Sequence, residues 1–152
     1  MALVEAEITG FESAQRGLRL LPAAIDEAKI AAMDESLSMA QTNIRFRTPF
    51  KTGKLMAAWD THQIIPGSLG EVFNSTKYAA PVEFGARPHE IRPRFKRALF
   101  WPGAGHPVRV VHHPGMVGRH MGREGMKASI PGIVATFAKH LRRSMSAVFS
   151  LK

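Results

Sequence analysis

Cysteine is missing from this chain altogether, tyrosine occurs once and tryptophan twice. Without a thiol there is no cysteine nucleophile, no disulfide framework and no cysteine-ligated zinc. That absence is consistent with an intracellular origin. Long apolar runs are lacking too: no stretch reaches the ~18 residues of a membrane span. The opening "MALVEAEITGFESAQRG" carries Glu5, Glu7 and Glu12. An export signal would place basic residues and then an apolar run there, so none is expected. Acids are scarce, 12 Asp and Glu against 21 Lys and Arg. At 152 residues the chain suffices for one domain that buries roughly 70% of its unfolded surface without covalent staples.

The charge is unevenly placed. Residues 1–40 hold three basic groups (Arg16, Arg19, Lys29) and seven acidic ones, whereas residues 41–152 hold eighteen basic and five acidic. Such a split suits a basic surface facing nucleic acid, or copies packed head to tail with acid against base. A merely solvated basic surface is the plain alternative.

Gly10, Gly17 and Pro22 are expected to break any long helix near the start, leaving residues 1–21 as an arm or short helix. A single domain then spans residues 22–152. Pro22 suits a first helical turn. Ile30, Met33, Leu37, Ala40 and Ile44 recur at steps of three and four, the stripe of a core-facing helix running to Arg47. Asp26, Glu27, Asp34 and Glu35 occupy its first half, and Arg45 and Arg47 its end, as the helix dipole favours. Thr52 is positioned to cap a short helix reaching about Trp59. "THQIIP" and "LGEVFNS" read as a β-hairpin around a Pro-Gly-Ser turn. "YAAPVEFG" reads as a one- or two-turn helix closed by Gly85 in a left-handed conformation. Pro88 and Pro93 force "HEIRP" to be extended. "RALFW" and "PVRVVHH" read as two strands joined by "PGAGH". The glycines of "HPGMVGRHMGREG" argue for a loop. A last helix is expected from Ser129 to about Phe149, with Ile130, Val134, Phe137, Leu141, Met145 and Val148 as its core stripe. The order implies α+β: a small antiparallel β-sheet packed by a long N-terminal and a long C-terminal helix.

No pattern of residues singles out a catalytic centre. His89, His106, His112 and His113 lack metal-ligand spacing, and adjacent residues of a strand point to opposite faces. The nearest acids are Glu83 and Glu90, and nothing resembles HExxH. Asp60, Ser75, Glu83 and His89 fall in no nucleophile motif. "PGAGH" and "GRHMGREG" are not phosphate-binding loops, because neither ends in Gly-Lys-Ser/Thr nor links strand to helix in the dinucleotide pattern. The chain is therefore expected to be no enzyme and to hold no metal or cofactor. "RPHEIRPRFKR" does concentrate Arg87, Arg92, Arg94, Lys96 and Arg97, with Phe95, Phe100 and Trp101 close by. Such a mixture suits non-specific DNA contact through phosphates and base stacking.

Four pieces follow in order: "TPFKTGKLMAAW", "YAAPVEFGARPHEIRP", "KRALFW" and "VHHPG". Together they resemble the neck or tail-completion (tail-component) family of long-tailed bacteriophages and prophages, over about residues 20–148. The matching positions are Thr52, Gly53 and Leu55; then Tyr78, Ala79, Val82, Glu83 and Gly85; then Ile91 and Pro93; then Arg97, Ala98 and Leu99; and last His113, Pro114 and Gly115. Two positions depart from the pattern. Ala86 stands where the family often has Thr, and "GRHMGREGMKASIPG" replaces a Pro-Phe-Leu-like step into the last helix. The resemblance implies a virion structural protein at the head–tail junction, assembled in the host cytoplasm. It implies a cyclic homo-oligomer, six-fold or a multiple, that joins the head connector to the tail tube or tail terminator. No substrate and no membrane partner are implied. Genomic DNA passing through such a ring is a further contact. On this reading Thr52, Gly53, Gly85, Pro88, Pro93, His113, Pro114 and Gly115 shape turns of an assembly surface. His89 and His113 are expected to bond backbone there.

Overall fold

The computed structural model describes residues 10–150. Residues 1–9, the first part of the expected arm, lie outside the described residues. The fold is α+β: two long helices packed on small antiparallel β pairings. Helix α1 spans Phe11–Arg47 and helix α4 spans Met121–Phe149. Between them come α2 (Lys54–Ala57), β1 (Trp59–Ile65), β2 (Leu69–Asn74), α3 (Ala79–Phe84), β3 (Gly85–Ala86), β4 (His89–Ile91), β5 (Val111–His113) and β6 (Met116–Val117). No helix is long and apolar enough to cross a membrane among the described residues.

Both long helices begin earlier than their prolines and glycines imply. α1 runs unbroken through Gly17 and Pro22, which corrects the expected start at Pro22. Contacts on both sides of that proline hold the helix together. Gly17 is buried against Val148 and Phe149, and the Ala24 carbonyl accepts the Ser144 hydroxyl at 2.7 Å. Tertiary packing of this kind outweighs a local breaker. Asp26 to Glu35 therefore lie mid-helix, outside the reach of the N-terminal dipole. α4 likewise starts at Met121, eight residues before the expected Ser129, and includes Gly122 and Gly125.

The two helices lie antiparallel and meet through small side chains. Ala28, Ala32, Ser36, Ala40 and Ile44 line the buried face of α1. Gly125, Ser129 and Thr136 line that of α4. Asn43 donates to the Ser129 hydroxyl at 2.9 Å, which in turn donates to the Gly125 carbonyl. The expected apolar stripe of α4 is therefore not its core face: Ile130, Val134 and Met145 are exposed, and only Val148 is buried. On α1, Ile30 is exposed as well, whereas Leu37, Ala40 and Ile44 are buried as expected.

The hairpin forms as expected, with β1 and β2 paired antiparallel. At the end of α1, Trp59 is buried beside Ile44, Leu55 and Met121. Its indole N–H donates to Thr48 Oγ1 at 2.9 Å, and that hydroxyl donates to the Ile44 carbonyl at 2.8 Å. Thr52 caps nothing: Gly53, with φ 75°, precedes α2, which ends at Ala57.

Candidate assembly surface

The second half of the "YAAPVEFG" motif ties three elements together. Glu83, on α3, accepts the backbone N–H groups of Gly122 at 2.8 Å and Arg123 at 3.1 Å. The first N–H groups of a helix have no partner within it, and a carboxylate there also meets the positive end of its dipole. Glu83 thus caps α4 from another element and lets that helix begin at Met121. The Val82 and Glu83 carbonyls accept the N–H groups of Arg119 and His120. His120 itself sits left-handed at φ 50°, ψ 33°. Nothing local in the sequence signals this capping role, because Glu83 and Gly122 are 39 residues apart.

Gly85 leaves α3 at φ 86°, ψ 176°. The positive φ is as expected, but this ψ lies outside the left-handed helical region and is reached by glycine almost alone. A Cβ here would stand 2.6 Å from the Met116 carbonyl oxygen. From this point residues 85–91 and 111–117 run antiparallel as a ribbon of two short pairings, β3 with β6 and β4 with β5. Gly85 pairs with Val117, Ala86 with Met116, His89 with His113, Glu90 with His112 and Ile91 with Val111. The register is constant, which sets Pro88 opposite Pro114, where neither can donate to the ladder. His89 donates to the Arg87 carbonyl at 2.8 Å, and His113 Nδ1 accepts the Gly115 N–H at 3.0 Å. Their rings stack at 5.0 Å.

Beyond Ile91 the expected pair of strands is reduced to one bridge between Leu99 and Val108. Val111–His113 pairs instead with β4, and Met116–Val117, expected as loop, is a strand. All three residues of β4 are exposed. Arg87, Arg92, Arg94, Lys96 and Arg97 are also exposed, and Phe95 is 98% accessible. Glu90 is the ribbon's one acid; Arg92 beside it, at 2.7 Å, holds its carboxyl below the ordinary carboxylate value. His112 approaches the same carboxylate, while His113 faces His89. No three metal-ligating side chains converge among the described residues. His106 is exposed in the loop beyond β4.

The described chain exposes a large surface for its mass. None of the nine phenylalanines is buried. The chain exposes 11911 Å², against about 7,600 Å² for a compact monomer of this mass. Residues outside the described part supply at most about 1,750 Å² of this at the unfolded-chain rate. The remaining excess is several times the ~800 Å² that a standard interface covers on each partner. Part of it lies in a groove of about 560 Å³ between β2, α3 and α4, lined by Val72, Phe73, Phe84 and Met126.

Compared with protein-family models, curated proteins and solved structures, the chain matches none of them.

Proposed function

We propose that this chain is a structural ring subunit of a long-tailed phage neck, which completes the tail and joins it to the head connector without catalysis. The observation that carries this reading is the excess of exposed surface, on which Phe84, Phe95 and Val134 stand among many large apolar side chains. A soluble monomer rarely leaves so much uncovered, whereas subunits of an assembly bury it against neighbours. The motif residues support it as well. Gly53, Glu83, Gly85 and the His113-Pro114-Gly115 turn all stand where one element hands over to the next, as a shape-determining motif requires. Deleting the gene from its phage should yield heads and tails that do not join. Normal infectious particles would end this reading.

A second reading has its own observation, the exposed basic ribbon with Phe95 at its outer end. It is non-specific DNA contact through Arg87, Arg92, Arg94, Lys96 and Arg97. It predicts binding that weakens steeply with salt, with a log–log slope that falls by about one for each phosphate-contacting cation removed. No binding at low salt would exclude it.

A further inference from the structure

We infer that residues 2–8 of one copy pair as a strand with the free edge of β2 in the next copy, their apolar side chains filling the groove beside it. The inference deepens the ring reading above and rests on it, because donor and acceptor are copies of one chain. The acceptor is an edge with a wall facing it. β2 has a partner strand on one side only, and no other backbone hydrogen bond reaches it among the described residues. Its second edge therefore keeps a row of unpaired N–H and C=O groups, the template for an added strand. The groove runs along that edge. Val72 and Phe73 both line it. Neighbouring residues of a strand point to opposite faces, so the space these two share lies at the rim where the faces meet. Across it stand Phe84 of α3, 76% exposed, and Met126 of α4, 38% exposed.

Pattern, charge and reach select the occupant. "ALVEAEI" alternates: in an extended chain Val4, Ala6 and Ile8 share one side, and Glu5 and Glu7 the other. Such a strand turns one apolar face to the groove and one acidic face to water. Arg123 is the cation lining the groove, bridged only to Glu124 beside it, and gives the acidic face a partner. Glu83, the acid of the same wall, is engaged by the Gly122 and Arg123 N–H groups. Glu71, on the hairpin, faces His62 at 3.6 Å. Reach then requires a second copy. Ile44, which lines the groove, lies about 50 Å along α1 from Phe11. Residues 1–9, even fully extended, span at most about 32 Å. A copy therefore cannot fill its own groove. Each copy gives an arm at one end of α1 and receives one near the other, and two different patches in contact give a closed ring when the rotation closes.

The test compares wild type with two full-length variants, V4D/I8D in the arm and F84D/M126D in the groove. Mass in solution is read by light scattering or sedimentation, with thermal melts to establish folding. Wild type should form a discrete oligomer, and each variant alone should assemble about tenfold more weakly or worse. Their equimolar mixture should give a pair of chains and nothing larger, because one variant keeps only a groove and the other only an arm. A synthetic peptide of residues 1–10 should bind V4D/I8D and slow amide exchange in its β2, and should not bind F84D/M126D. If F84D/M126D falls apart while V4D/I8D assembles normally, another part of the neighbour covers the groove and the arm contact is overturned. A ring that survives both pairs of substitutions would overturn the contact and leave the ring reading standing. Wild type that stays monomeric at every salt and concentration, with no peptide bound by V4D/I8D, would overturn both.

Discussion

Replacing Gly125 by alanine tests how closely the two long helices approach. In an exposed helix interior the change stabilises by about 1 kcal/mol, because alanine loses less backbone freedom on folding. Here the added Cβ would come within 2.5 Å of Ile44 Cγ1, 2.7 Å of its Cα and 2.9 Å of its N. Two of those atoms are backbone, so no rotamer change relieves the contact and α1 must move. Overpacking costs about 1–3 kcal/mol, and a rigid neighbour places this site toward the upper end. After the propensity gain, a net loss of about 1–2 kcal/mol remains. For a domain of this size that lowers Tm by about 2–8 °C. Gly122→Ala is the control, since its Cβ would meet nothing nearer than the Glu83 carboxylate at 3.4 Å. Differential scanning calorimetry on the pair decides the matter. A Gly125→Ala protein that melts at or above wild type would refute the close packing of α1 on α4.

Glu83→Ala removes the carboxylate that caps α4 and should cost about 0.5–2 kcal/mol, with faster amide exchange at Gly122 and Arg123 as the specific sign. Gly85→Val places a branched side chain at positive φ against the Met116 carbonyl. It should cost about 1–3 kcal/mol, and an unchanged melt would count against the geometry at the ribbon's base. The Glu35 carboxyl is held below its ordinary 4.5, first by the hydrogen bond from Lys139 and then by that from His140. A depressed carboxyl adds stability above its unfolded pKa and loses it as pH falls through the folded one. The α1–α4 clamp is thus intact at neutral pH and weakens on acidification below 4.5. Glu35→Gln should flatten that part of the Tm-against-pH curve, and a curve identical to wild type would remove Glu35 from it.

What could be read from the sequence was local. The hairpin about Pro66-Gly67-Ser68, the short helix closed by Gly85 and the extended piece between Pro88 and Pro93 follow from turn chemistry and blocked N–H groups, which act within a few residues. So does the α+β class, from the order of periodic segments. The starts of α1 and α4 lie earlier than local sequence implies for one reason. Pro22, Gly122 and Gly125 disfavour helix locally, and the contacts that override them come from Ser144, Glu83 and Ile44, far away in the chain.

The stripe of α4 carries the same lesson for function. Ile130, Val134 and Met145 recur with the period of a buried face, and in a chain taken alone that pattern means core. Periodicity says that a face is to be covered, not by what. Only the tertiary structure shows that Gly125, Ser129 and Thr136 turn inward instead, because small residues alone let the two helix backbones approach so closely. The apolar face is thereby left on the outside.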